Sequence, residues 1–131
     1  MMCASTRTNC SSTGLILVVA SDFDLGFILS MILREEVSHE VRVIADGKKA
    51  IDFCHLTAPQ LVLLDEHLLG IDALTTYKRI CHCDADRQIP GLLLGTSYLQ
   101  DDLDLQNLYW IKKPFHWDQF LQTVKTLLEA S

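Results

Sequence analysis

Gln60-Leu61-Val62-Leu63-Leu64-Asp65 runs four consecutive apolar residues straight into one carboxylate. A short, unbroken apolar run reads as a strand buried on both faces, as in a parallel sheet covered by helices on each side. In open α/β sheets the chemistry gathers at the carboxyl ends of the strands. Asp65 is placed there, with Gly70 in the loop beyond. Taken alone, Asp65 reads equally well as the cap of the next helix; the surrounding chain has to decide between the two.

Upstream, Leu15-Ile16-Leu17-Val18-Val19-Ala20 is a second continuous apolar run and reads as the first strand. Ser21 or Asp22 can cap the helix that follows. Leu25, Ile28, Leu29, Ile32 and Leu33 recur at helical spacing, so about 22–35 reads as an amphipathic helix. Val41-Arg42-Val43-Ile44-Ala45 reads as a short strand and Asp46-Gly47 as a turn, and Ala50, Phe53 and Cys54 mark one face of a second helix that Pro59 ends.

Downstream, Ala73 to about Cys81 reads as a third helix with Leu74, Tyr77 and Ile80 inward, and Cys83 to Gln88 as a polar loop. Ile89-Pro90 leads into a fourth strand, Gly91-Leu92-Leu93-Leu94, weakened by its glycine. Ser97 to Asn107 is polar and reads as a short, poorly defined helix. Leu108-Tyr109-Trp110-Ile111 is a fifth strand, and Phe120, Leu121, Val124, Leu127 and Leu128 mark a last helix. Five strands alternating with five helices imply right-handed crossovers and an α/β, doubly wound, five-stranded parallel sheet.

The chain has 131 residues, enough for one domain. Met1 to Thr13 is Ser/Thr/Asn-rich without periodicity and is expected to be a disordered tail, 1–13, ahead of a domain over 14–131. A net charge of −6 argues against a nucleic-acid surface. No apolar run approaches the roughly 20 residues that span a bilayer. No signal pattern opens the chain, so a cytoplasmic protein without membrane contact is expected. The five cysteines, an odd number, fit reduced thiols. Cys81-His82-Cys83 with Cys54-His55 lacks the paired spacing of a zinc knuckle, so ordinary packed or surface thiols are the expectation.

Several of these segments together resemble the receiver domain of two-component response regulators, the CheY-like family. They are Leu61-Val62-Leu63-Leu64-Asp65 with Leu68-Leu69-Gly70-Ile71-Asp72, Asp46-Gly47-Lys48-Lys49-Ala50, Ile89-Pro90, and Lys113-Pro114-Phe115, over about residues 14–130. The resemblance implies a strand order of 2-1-3-4-5, with two helices on one face and three on the other. It also implies that Asp65 accepts a phosphoryl group from a histidine kinase or phosphotransfer protein. A carboxylate meeting an anionic phosphoryl group needs counter-charge. Lys113 is the matching lysine, and a solvated surface lysine is its plainer reading. Hard oxygen ligands suit Mg²⁺, and the backbone carbonyl of His67 is a further implied ligand. With nothing following the last helix, output is expected to run through contact with a downstream protein or onward transfer. A homodimer is a further expectation.

The departures from that family bear on mechanism. Its adjacent acidic pair after the first strand is Ala20-Ser21 here, and only the third position keeps a carboxylate, Asp22. The expected metal set is therefore Asp22, Asp65, the His67 carbonyl and, weakly, the Ser21 hydroxyl, and Mg²⁺ is expected to bind weakly. The family's Ser/Thr at the end of the fourth strand falls on Gly95, and a one-residue slip brings Thr96 into its place. Trp110 stands at the family's switching aromatic, although a half-buried strand aromatic is an equal reading.

Three functions compete at this level. The first is a phosphorylatable receiver, favoured by Asp65 and Lys113. The second is a pseudo-receiver acting as a phosphorylation-independent binding module, favoured by Ala20-Ser21. The third takes Asp22-Phe23-Asp24 as the D-x-D of a haloacid-dehalogenase-type phosphatase. That reading is weak, because Asp101, Asp102 and Asp104 precede the lysine that such a site needs ahead of its acids. A flavin or nucleotide carrier lacks its phosphate loop after the first strand. The first reading is preferred: a signalling module, not an enzyme.

Overall fold

Leu61–Asp65 is a strand with all five residues buried. In the computed structural model, which describes residues 14–83, 88–96 and 107–130, it is the centre of a five-stranded parallel sheet. The elements in chain order are β1 (Leu15–Val19), α1 (Phe23–Glu36), β2 (Glu40–Ile44), α2 (Gly47–Leu56), β3 (Leu61–Asp65), α3 (Ala73–Cys83), β4 (Gly91–Gly95), β5 (Leu108–Lys112) and α4 (Trp117–Ala130). The sheet order is β2-β1-β3-β4-β5, the expected 2-1-3-4-5, and every pairing is parallel.

Because side chains alternate along a strand, β1 and β3 feed two separate cores. Ile16, Val18, Leu61 and Leu63 face α1 and α4, meeting Leu29, Leu33, Phe120 and Val124. Leu17, Val19, Val62 and Leu64 face α2 and α3, meeting Ala50, Cys54, Tyr77 and Ile80. Both faces are dry, which is why these strands read as unbroken apolar runs rather than alternating ones.

Four helices lie among the described residues, two on each face. The fifth expected helix, Ser97 to Asn107, falls almost wholly outside them, as does the tail before residue 14. Asp46-Gly47 opens α2 rather than making a free turn: the Asp46 carboxylate accepts from the Lys49 N–H at 2.8 Å. Helix α3 runs on to Cys83, two residues past the expected end.

Ile28, expected to face inward, is exposed. The buried positions of α1 are Gly26, Leu29, Ser30 and Leu33. Small residues let this helix come close to the sheet: a Cβ on Gly26 would lie 3.0 Å from Val43 Cγ1. The glycine of β4 has a similar cause. A Cβ on Gly91 would lie 2.5 Å from the Tyr77 ring, whose hydroxyl donates to the Ile89 carbonyl at 2.6 Å. Gly91 therefore marks a packing contact rather than a weak strand.

Candidate functional site

Asp65 ends β3 and is 3% exposed. Two strands away, β5 ends at Lys112, so Lys113 leaves the sheet at the same edge. The Lys113 ammonium donates to Asp65 Oδ1 at 2.5 Å. Its backbone N–H donates to the Gly95 carbonyl at 3.0 Å, which fixes the start of the lysine stem against β4. The peptide between Lys113 and Pro114 is cis. An almost fully buried carboxylate requires such a partner, because an unpaired one would carry a large desolvation penalty.

The loop after β1 is held by the residues that replace the acidic pair. Ala20 is buried, and its N–H donates to the Ile44 carbonyl at 3.1 Å. The Ser21 hydroxyl donates to the Ala45 carbonyl at 2.6 Å and accepts from the Leu69 N–H at 2.9 Å. It thereby ties together the loops that follow β1, β2 and β3. Asp22 is exposed and caps α1, Oδ1 accepting from the N–H groups of Asp24 at 2.9 Å and Leu25 at 3.4 Å. These contacts commit the oxygens expected to serve a metal.

A hard divalent cation takes six or more oxygen ligands, preferably with several carboxylates. Here Asp65 is shared with Lys113, Ser21 uses its hydroxyl in both directions, and Asp22 is turned to its own helix. Among the described residues no group of three or more His, Cys, Asp or Glu side chains could hold a metal ion. The donor set as arranged does not fit Mg²⁺.

Thr96 lies two residues beyond Leu94, the β4 partner of Asp65. Its hydroxyl donates to Glu66 Oε1 at 2.9 Å, and its N–H donates to the same oxygen. Glu66 went unnoticed in the sequence; the available signal was a second acid beside Asp65, coupled with a glycine at position 95. A Cβ on Gly95 would lie 2.6 Å from Glu66 Cδ, so the glycine makes room for that side chain. His67 is largely exposed, with Nε2 3.6 Å from Glu66 Oε1. Trp110 is half-buried, and its indole N–H donates to the Gly95 carbonyl at 3.2 Å.

Cys54, Cys81 and Cys83 lie apart from this edge, packed between α2 and α3. Burial, with Cys83 and Cys81 nearby, pushes the Cys54 thiol up to about 12. Burial also raises the Cys81 and Cys83 thiols, so all three stay protonated at neutral pH.

No protein-family model matches the chain. It is 27% identical over 118 residues to sporulation initiation phosphotransferase F of Bacillus subtilis (strain 168), a match covering 86% of this chain and 92% of that one. Its fold matches the signal receiver domain of a signal transduction histidine kinase from Syntrophus aciditrophicus, with a TM-score of 0.77 and 25% identity, covering 90% of this chain and 92% of that one. It also matches the receiver domain of a sensor histidine kinase from Pseudomonas aeruginosa PAO1, a structure with a magnesium ion coordinated in the active site cleft. There the TM-score is 0.75 and the identity 21%, covering 89% of this chain and 98% of that one. Likeness over so much of the chain, on a sheet edge that pairs a buried aspartate with a lysine, makes this protein similar in fold and site to the CheY-like receiver domains of response regulators, with Ala20-Ser21 in place of the acidic pair.

Proposed function

We propose that this receiver accepts a phosphoryl group on Asp65 from a phosphohistidine of a histidine kinase or phosphotransfer protein and signals through protein contacts. One observation carries the reading: a carboxylate 3% exposed at the carboxyl edge of a parallel sheet, with a lysine ammonium 2.5 Å away. In the transfer, an Asp65 oxygen attacks phosphorus. The P–O bond forms as the P–N bond breaks, and the imidazole nitrogen leaves with the electron pair. Lys113 balances the charge gathering on the transferred oxygens. The chain acts once per phosphoryl group, as a signalling module rather than a turnover catalyst.

The surface around the site supports a protein donor. Phe23, Phe27 and Met31 are exposed along one side of α1, beside exposed Ile28, and the Phe23 and Phe27 rings stack at 6.2 Å. This apolar stripe begins one residue after Asp22, next to the site, where a partner presenting a phosphohistidine would cover it. The committed oxygens of Ser21 and Asp22 disfavour Mg²⁺ at this edge.

The pseudo-receiver reading draws on those same commitments, and one experiment separates the two. The chain is incubated with acetyl phosphate and with a phosphorylated histidine phosphotransfer protein, and followed by intact mass. Label on the wild type that is absent from Asp65→Asn is expected. A wild type that stays unlabelled by both donors overturns the reading in favour of a phosphorylation-independent binding module.

A further inference from the structure

Asp65 is followed by a second carboxylate that the proposed transfer does not use. The Glu66 side chain is 5% exposed, and its backbone N–H donates to the Leu94 carbonyl at 2.9 Å. Its Oε1 accepts from both the N–H and the hydroxyl of Thr96. The side chain lies over Gly95, where any Cβ would collide with it. The Gly95 carbonyl in turn receives the Lys113 N–H and the Trp110 indole. The end of β4 is thus wrapped around the Glu66 carboxylate and tied to the segment that carries Lys113.

An anion added to Asp65 changes the balance of charge at this edge. Asp65 pairs with Lys113 while Glu66, the next residue, has His67 Nε2 3.6 Å from its Oε1, and a phosphoryl group brings further negative charge. In the proposed transfer the Thr96 N–H and hydroxyl, two residues past Asp65's partner on β4, would serve that phosphoryl group beside Lys113. Both are engaged by Glu66. A buried carboxylate is held in place by donors of this kind and repelled by a like charge beside it.

We propose that the Glu66 carboxylate occupies, in the unmodified protein, the Thr96 donor pair that a phosphoryl group on Asp65 would otherwise draw on, so that Glu66 has to withdraw before Asp65 is phosphorylated. Glu66 is a positioning residue that acts as an internal competitor, and Gly95 is the space that admits it. The proposal rests on Asp65 being the phosphoacceptor.

The test is the initial rate of labelling by acetyl phosphate in the full chain, compared among wild type, Glu66→Ala, Glu66→Gln and the double variant Glu66→Ala with Thr96→Val. Removal of the competing charge is expected to raise the Glu66→Ala rate by about tenfold. Glu66→Gln should fall between the two, since the amide oxygen still accepts from Thr96 without the charge. The double variant should lose most of the gain. A merely structural role for Glu66 would lower or leave unchanged the rate of labelling. Label on the wild type with no gain in a folded Glu66→Ala overturns the proposal, as does a gain that survives Thr96→Val undiminished. If Glu66→Ala does not fold, Glu66→Gln decides: a faster rate supports the proposal and an unchanged one overturns it. Absence of label from every chain, wild type included, overturns the phosphoacceptor reading and this proposal with it.

Discussion

Ser21 shows what a single side chain can do when a family position changes chemistry. As a hydroxyl it donates to the Ala45 carbonyl and accepts from the Leu69 N–H, holding three loops together. An ionised aspartate can accept from Leu69 but cannot donate to Ala45. Ser21→Asp should therefore lose one hydrogen bond, about 1 kcal/mol. The same change adds a carboxylate in the loop after β1, at the sheet edge where Asp65 ends β3. Mg²⁺ affinity should rise by about tenfold or more, roughly 1.4 kcal/mol, and melting should fall by about 4 °C. Calorimetric titration with Mg²⁺ and a thermal melt read both effects. If wild type already binds Mg²⁺ tightly and the variant no better, Asp22 has left its cap to serve the metal, and the weak-site assignment is wrong.

At the scale of the element, α1 carries more apolar surface than its packing uses. From Phe23 to Leu33 it is apolar nearly all round, so the spacing of its leucines and isoleucines does not single out a buried face. The small residues Gly26 and Ser30 do, because they let the helix settle on the sheet. What remains outside is the stripe of Phe23, Phe27 and Met31. Phe23→Ser with Phe27→Ser should change stability by about 1 kcal/mol or less, since Phe23 is 80% and Phe27 53% exposed. It should leave acetyl-phosphate labelling of Asp65 unchanged while slowing transfer from a phosphorylated histidine phosphotransfer protein by about tenfold, as expected when an apolar contact is lost from an interface. Equal slowing with both donors would place the defect in the site instead of the docking face.

At the scale of the whole molecule, the α2–α3 side of the sheet holds groups that stay neutral to higher pH when folded than when unfolded. Burial raises Cys54 from 9.0 to about 12 and raises the Tyr77 hydroxyl well above its usual value. The unfolded chain gives up these protons at lower pH than the folded one. Their contribution is therefore fully present below about pH 9 and is lost as pH rises from there toward 12. Urea denaturation at pH 7, 9, 10 and 11 should give a midpoint that is flat between the first two and then falls. Cys54→Ala should shallow the fall. A midpoint that declines equally in the variant would assign the loss to Tyr77 and the other thiols.

The sequence alone determined the sheet. Unbroken apolar runs at Leu15–Val19 and Leu61–Leu64 require burial on both faces, and alternation with helical spacing permits few arrangements besides a doubly wound one. It also placed Asp65 and Lys113 at strand ends, because the end of a strand is a local property of the chain. Only the tertiary structure decided what those ends touch. That Ser21 ties three loops, that Asp22 turns to its own helix, and that Glu66 lies over Gly95 to reach Thr96 all depend on residues 24 to 48 positions apart or on a choice between two local bonds. Spacing along the chain carries no record of such contacts: hydrogen bonds across a sheet edge follow from register and close packing, which exist only once the strands are side by side.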